Sequence, residues 1–164
     1  MSQPSFPAQA QFQVEIQRGD GIGSVPDDEE FERWADVALR AVKKDAALCI
    51  RIADDNETTE LNEKYRHGTG LTNVLSFPCE ILDEAGVCLL GDIVICASVV
   101  RREAEEQHKM ETAHWAHMVL HGILHLLGHD HQNSKDGQVM ERMEVELLHQ
   151  LGFADPYQPA ELSK

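Results

Sequence analysis

His121-Gly122-Ile123-Leu124-His125-Leu126-Leu127-Gly128-His129-Asp130-His131 carries three histidines in the pattern H-x3-H-x5-H. On a helix His121 and His125 stand one turn apart, so their rings project from the same face. Gly128 can take the positive φ that ends a helix, which predicts a stop just after the second histidine. The chain then turns back, and His131 can reach the first two from outside the helix. Three neutral imidazoles with a fourth position left open form the donor set of a catalytic zinc, not of a structural one. The expectation is one Zn2+ per chain, held by His121, His125 and His131.

The same spacing occurs in the metzincin proteases as H-E-x-x-H-x-x-G-x-x-H. Here Gly122 stands where those enzymes carry glutamate, the general base of peptide hydrolysis. A peptidase without that base loses about 10²–10⁴ in rate. Phosphodiester cleavage makes another demand, because charge develops on phosphate oxygens and a cation can stabilise it there. The sequence is therefore to be searched for an arginine that could join the histidines.

Asn62-Glu63-Lys64-Tyr65-Arg66, followed by Thr72-Asn73-Val74-Leu75-Ser76-Phe77-Pro78, supplies one. With Leu90-Gly91-Asp92-Ile93 and the full histidine motif, in that order, the chain resembles the YbeY family of bacterial endoribonucleases from about residue 12 to 155. Position 129, histidine here, is often tyrosine in that family. The resemblance implies a zincin-like fold, zinc ligation by His121, His125 and His131, and Arg66 as the functional arginine of the cleft. It also implies cleavage of single-stranded rRNA in maturation of the 16S 3′ end and in ribosome quality control. Implied partners are the small ribosomal subunit, ribosomal proteins and an Era-type GTPase, with the chain acting as a cytoplasmic monomer.

Around the motif, His114 lies about 10 Å along the axis from His121, too far to share an ion. His117, one turn from His121, could support a ligand ring or meet RNA or water, though a structural role is the more ordinary reading. His129 should point away from the ligands. Asp130 could orient a ligand imidazole by accepting its free N–H. If the Thr72–Phe77 segment forms an edge strand beside the cleft, Asn73 and Ser76 could offer polar groups to a ribose or phosphate. Met140 and Met143 fall within a helical pattern and read as core.

Lys and Arg number 14 against 29 Asp and Glu, a formal net charge of −15. An enzyme holding RNA by general phosphate neutralisation should be basic, so most of this surface should repel bare RNA. A zinc with neutral ligands keeps its full charge, and Lys64, Arg66 and His67 could add a local positive focus, or a ribosomal partner could supply most of the binding. Affinity for isolated RNA should then be weak and salt-sensitive. A length of 164 residues suits one domain. No apolar run reaches the 18 or more residues of a membrane span, and the N-terminus lacks the pattern of a secretion signal. The four cysteines show no C-x-x-C spacing, and those at 49, 88 and 96 read as free buried thiols.

The hydrophobic pattern reads as an α+β domain with a small mixed sheet packed on several helices, the metal-binding helix central. Residues 12–155 form the domain, between a polar tail over 1–11 and a loose tail over 156–164. Strands are expected at 12–16, 47–53, 74–77 (closed by Pro78) and 89–96. Helices are expected from Asp27, from Asp54-Asp55 to Arg66, over 98–108, over 111–127 and over 136–151. Two other readings stay open. One is a metallopeptidase that recruits another base; the other is a non-enzymatic ribosome-assembly factor that zinc only stabilises.

Overall fold

Alternation of Phe12, Val14 and Ile16 with polar neighbours makes β1 (Phe12–Arg18), and a longer apolar run makes β2 (Ala46–Ala53). Between them α1 (Asp28–Leu39) starts where Asp27 caps it, its carboxylate accepting from the Glu30 amide at 2.9 Å. Asp54 does the same for α2 (Asp55–Tyr65), accepting from the Glu57 amide at 2.9 Å. Then follow β3 (Val74–Leu82), β4 (Cys88–Cys96), α3 (Ala97–Glu106), α4 (Glu111–Leu126) and α5 (Ser134–Gln150). The computed structural model describes residues 10–66, 68–130 and 133–158. His131 and His67 lie outside the described residues.

The sheet runs β1-β2-β4-β3, with β1, β2 and β4 parallel and β3 antiparallel at the edge beside β4. The fold is thus the expected α+β domain with a mixed sheet. One face carries Leu48, Ile50, Ile52, Ile93 and Ile95, packed against Phe31, Trp34 and Leu39 of α1 and Trp115, Val119, Leu120 and Ile123 of α4. Phe31 lies edge-on to Trp34 and Trp115 at 5.5 and 5.8 Å, joining the two helices. On the other face Ala53, Leu75 and Val94 form a smaller cluster with Leu61 of α2 and Phe77. α4 is apolar on most sides because it lies between the sheet, α1 and α5.

Three expectations need correction. Pro78 does not close its strand, and β3 continues to Leu82. An edge strand tolerates proline, which cannot donate to a ladder. The register shifts between Pro78 and Ile81, opposite Gly91 at φ 134°, where a Cβ would stand 2.1 Å from the Phe77 carbonyl oxygen. The helix expected at Ser98 begins at Ala97, directly out of β4. Beyond residue 155 the chain is still tied down through Tyr157, whose hydroxyl donates to Glu144 Oε1 at 2.6 Å.

All four cysteines are free; Cys88 and Cys96 are buried, Cys49 is half-buried and Cys79 is exposed. Partial burial, with Asp92 and Glu15 beside it, pushes the Cys49 thiol up to about 11. Thiolate is the reactive form, so at pH 8 iodoacetamide should alkylate Cys49 at least about 100-fold more slowly than an ordinary exposed thiol. Peptide mapping over time checks this, with Cys79 expected to react first.

Candidate functional site

The four histidines of α4 fall within an arc of about 80° at 100° per residue, roughly a quarter-turn from the strip that meets the sheet. His114 and His117 are buried, while His121 and His125 are half-buried. Helix α4 ends as expected. Gly128 adopts φ 98°, its amide donates to the His125 carbonyl at 3.0 Å, and the His129 amide donates to the Leu124 carbonyl at 3.0 Å. That paired bonding closes the last turn and swings the chain back beside His125.

His121 Nε2 and His125 Nε2 lie 3.1 Å apart. Two nitrogens on one tetrahedral zinc at about 2.0–2.1 Å would stand about 3.3 Å apart, so the pair fits a shared ion. His131 is outside the described residues, and among the described residues no cluster of three His, Cys, Asp or Glu side chains forms a metal cage. Asp130 is exposed.

His121 meets a residue that the sequence did not single out. Glu144, 1 % exposed, extends from α5, and its Oε2 lies 3.0 Å from His121 Nδ1 and 2.8 Å from His117 Nε2. Tyr157 donates to the other oxygen, Oε1, and also lies 3.2 Å from His117 Nε2. Burial would raise this carboxyl, but hydrogen bonds from His117, His121 and the Tyr157 hydroxyl together hold it down at about 2. It is therefore an anion at neutral pH and accepts from all three groups. The sequence did contain one signal for it. Met140, Glu144 and Leu148 are all buried at a spacing of four on α5, so an acid stands in an apolar stripe. Met140 is core, as expected.

A second, part-buried pair lies one turn earlier, where His114 Nε2 is 3.0 Å from Glu103 Oε1 on α3. Burial pushes the His114 imidazole down, against the upward pull of Glu103. Asn73 Nδ2 donates to the same carboxylate at 3.1 and 3.3 Å, tying the start of β3 to α3. Ser76 is buried, and its hydroxyl donates to the Gly122 carbonyl at 3.1 Å. Asn73 and Ser76 thus tie the edge strand to α3 and α4. His117 takes the structural role, through Glu144.

Arg66 caps the C-terminal end of α2, its amide donating to the Asn62 carbonyl at 3.2 Å. The guanidinium is exposed and lies 6.0 Å from the Phe77 ring centroid. Phe77 meets Tyr65 edge-on at 6.2 Å, and Lys64 Nζ lies 5.2 Å from the Tyr65 ring. Alternation along β3 puts Ser76 toward α4 and Phe77 on the opposite face. Arg66 therefore stands across the edge strand from the histidine pair, and no contact among the described residues joins them.

Gly122 explains the missing glutamate. A Cβ there would lie 2.8 Å from Ile93 Cγ2 and 3.1 Å from Ile93 Cδ1, so the helix is pressed onto β4 with no room for a side chain.

A family model described as Endoribonuclease YbeY matches residues 15–152. A curated relative of that name from Nitrosococcus oceani is 50 % identical over 147 residues, covering 88 % of this chain and 96 % of its own. The relative from Pseudomonas entomophila is 48 % identical, covering 89 % and 93 %. The one from Cellvibrio japonicus is 44 % identical, covering 92 % and 86 %. Among solved structures, the solution structure of TM1509 from Thermotoga maritima superposes with a TM-score of 0.54 at 21 % identity, over 90 % of this chain and 99 % of that one. That similarity concerns the fold.

Gly122→Ala should lose about 1–3 kcal/mol to overpacking, more than the roughly 1 kcal/mol that alanine adds to a helix. Urea unfolding measures it, and adding Ile93→Ala should show positive coupling, because the struck methyl is then gone. A Gly122→Ala protein as stable as wild type would mean that α4 can shift off the sheet.

Proposed function

The chain belongs to the endoribonuclease YbeY family, and from that premise we propose that it is a zinc-dependent endoribonuclease cleaving single-stranded RNA. The observation that carries the zinc reading is the pair of imidazole nitrogens 3.1 Å apart on α4. His121 and His125 hold the ion with His131. A bound zinc supplies a Lewis acid for charge developing on phosphate oxygens and lowers the pKa of water towards about 7.

Arg66 supplies the second positive charge. Its exposed guanidinium at the end of α2 can swing over the rim of β3 to a phosphate near the histidines. A guanidinium meets two phosphate oxygens at once, so it both orients the group and follows its charge as the bond breaks. Lys64, Tyr65 and Phe77 beside it combine cations with aromatic faces, which suits a strand whose bases are unstacked. The proposed physiological substrate is precursor 16S rRNA at its 3′ end. The work then belongs to ribosome maturation and quality control, with the small subunit, its proteins and an Era-type GTPase as partners. A net charge of −15 supports dependence on such partners, since the local cations alone cannot hold RNA by general neutralisation.

A metallopeptidase reading lacks its base, and the Gly122–Ile93 contact leaves no space to restore it. The decisive experiment is cleavage of a labelled single-stranded RNA by metal-quantified protein, with His125→Ala and Arg66→Ala purified in parallel. Wild type is expected to carry one zinc and to cleave. His125→Ala should lose metal and activity, and Arg66→Ala should keep metal but lose about 10²–10³ in rate. Equal cleavage by all three would indicate a contaminating nuclease and move the non-enzymatic assembly role to the front.

A further inference from the structure

Glu144 is the buried charge for which the proposed chemistry has no use, yet it joins more functional groups than any other side chain described. We propose that Glu144 is the positioning residue of the metal site. It fixes the tautomer and ring plane of His121, and His117 and Tyr157 hold it in place. The inference rests on the zinc reading above and concerns how one ligand is prepared for the ion.

The argument is geometric. A carboxylate only accepts, so the 3.0 Å contact requires the His121 proton on Nδ1, and Nε2 then presents its lone pair. Nε2 is the atom that faces His125 Nε2. An imidazole with its far nitrogen bonded to a carboxylate is also a more basic ligand. The carboxylate itself cannot turn. His117 Nε2 meets the same oxygen at 2.8 Å, and Tyr157 donates to the other at 2.6 Å. The three groups come from α4 and from the turn after α5, so the segment around Asp155 and Tyr157 sets the plane of a residue on the central helix. With its Nε2 proton directed at Glu144, His117 keeps an acceptor at Nδ1, and that buried atom has no protein partner among the described residues. Glu144 touches neither ion nor substrate here, so its effect must appear first in metal affinity.

The test compares metal-stripped wild type, Glu144→Gln and Tyr157→Phe. Zinc affinity is measured by competition with a chromophoric chelator, the Co2+ absorption spectrum reports ligand geometry, and thermal unfolding of the metal-free proteins reports stability. Glu144→Gln is expected to weaken zinc by about 10–100-fold and to alter the Co2+ bands. Tyr157→Phe should weaken zinc by less, with nearly unchanged metal-free stability. Lower stability with wild-type affinity and spectrum in Glu144→Gln would overturn the proposal and leave Glu144 a core group only. If Glu144→Gln does not fold, Tyr157→Phe decides by itself: reduced affinity supports the proposal and wild-type affinity overturns it. A folded wild type that binds no zinc would defeat the zinc reading itself and this inference with it. Zinc bound equally by wild type and Glu144→Gln would defeat this inference alone.

Discussion

The contact between Gly122 and Ile93 governs the site. It lets α4 lie against β4 closely enough that a single Cβ would be struck, and that approach fixes the height of the helix over the sheet. With Trp115, Val119 and Ile123 turned to the core, the histidine strip is carried to the side, toward α3 and α5. Ser76 then bonds the carbonyl of the same glycine and brings the edge strand alongside. Where peptidases of similar spacing place their base, this chain has a packing contact. The chemistry and the packing therefore constrain each other: a side chain at 122 requires either Ile93 to give way or the helix to move off the sheet.

A helix buried on most sides carries four histidines at a cost set by how many of their polar atoms are satisfied. The fold meets part of that demand with two carboxylates from neighbouring helices, half-buried Glu103 for His114 and buried Glu144 for His117 and His121, while Nδ1 of His114 and of His117 has no partner among the described residues. Each carboxylate serves a second purpose. Glu103 also holds Asn73 at the entrance to β3, and Glu144 also holds Tyr157 after α5. The polar strip of α4 is thus where three separate parts of the chain are joined. Removing either acid would leave buried donors unpaired at about 1–3 kcal/mol each, so these residues are costly to change whatever else they do.

The elements were largely legible in sequence because period, caps and stop signals agree. Asp27 and Asp54 cap their helices, and Gly128 and Gly152 lie just past helix ends at positive φ. Pro78 misled because proline signals a strand end, and only the sheet order tells that β3 is an edge where proline is tolerated. At the site, the i, i+4 histidine pair could be read from spacing alone because both rings belong to one helix. Glu144 showed only as an acid in an apolar stripe, and its partners, like the place of Tyr157, depend on how α5 crosses α4. The ties that Asn73 and Ser76 make to Glu103 and to the Gly122 carbonyl could not be read from the strand by itself, because they depend on where α3 and α4 lie.

Charge completes the argument. A chain with 29 acids and 14 bases cannot attract RNA uniformly, so whatever affinity it has must come from a few places. Lys64, Tyr65, Arg66 and Phe77 cluster at the rim of β3, with both cations exposed and each near an aromatic ring, and the proposed function makes them such a place. Stacking on those rings is independent of salt in a way that ion pairing is not, and it favours strands already unpaired. Under the proposed function, an acidic surface with such a cationic, aromatic rim would disfavour duplex RNA, which offers phosphates but no free base faces. Selectivity for single strands would then follow from repulsion over most of the molecule as much as from attraction at the site.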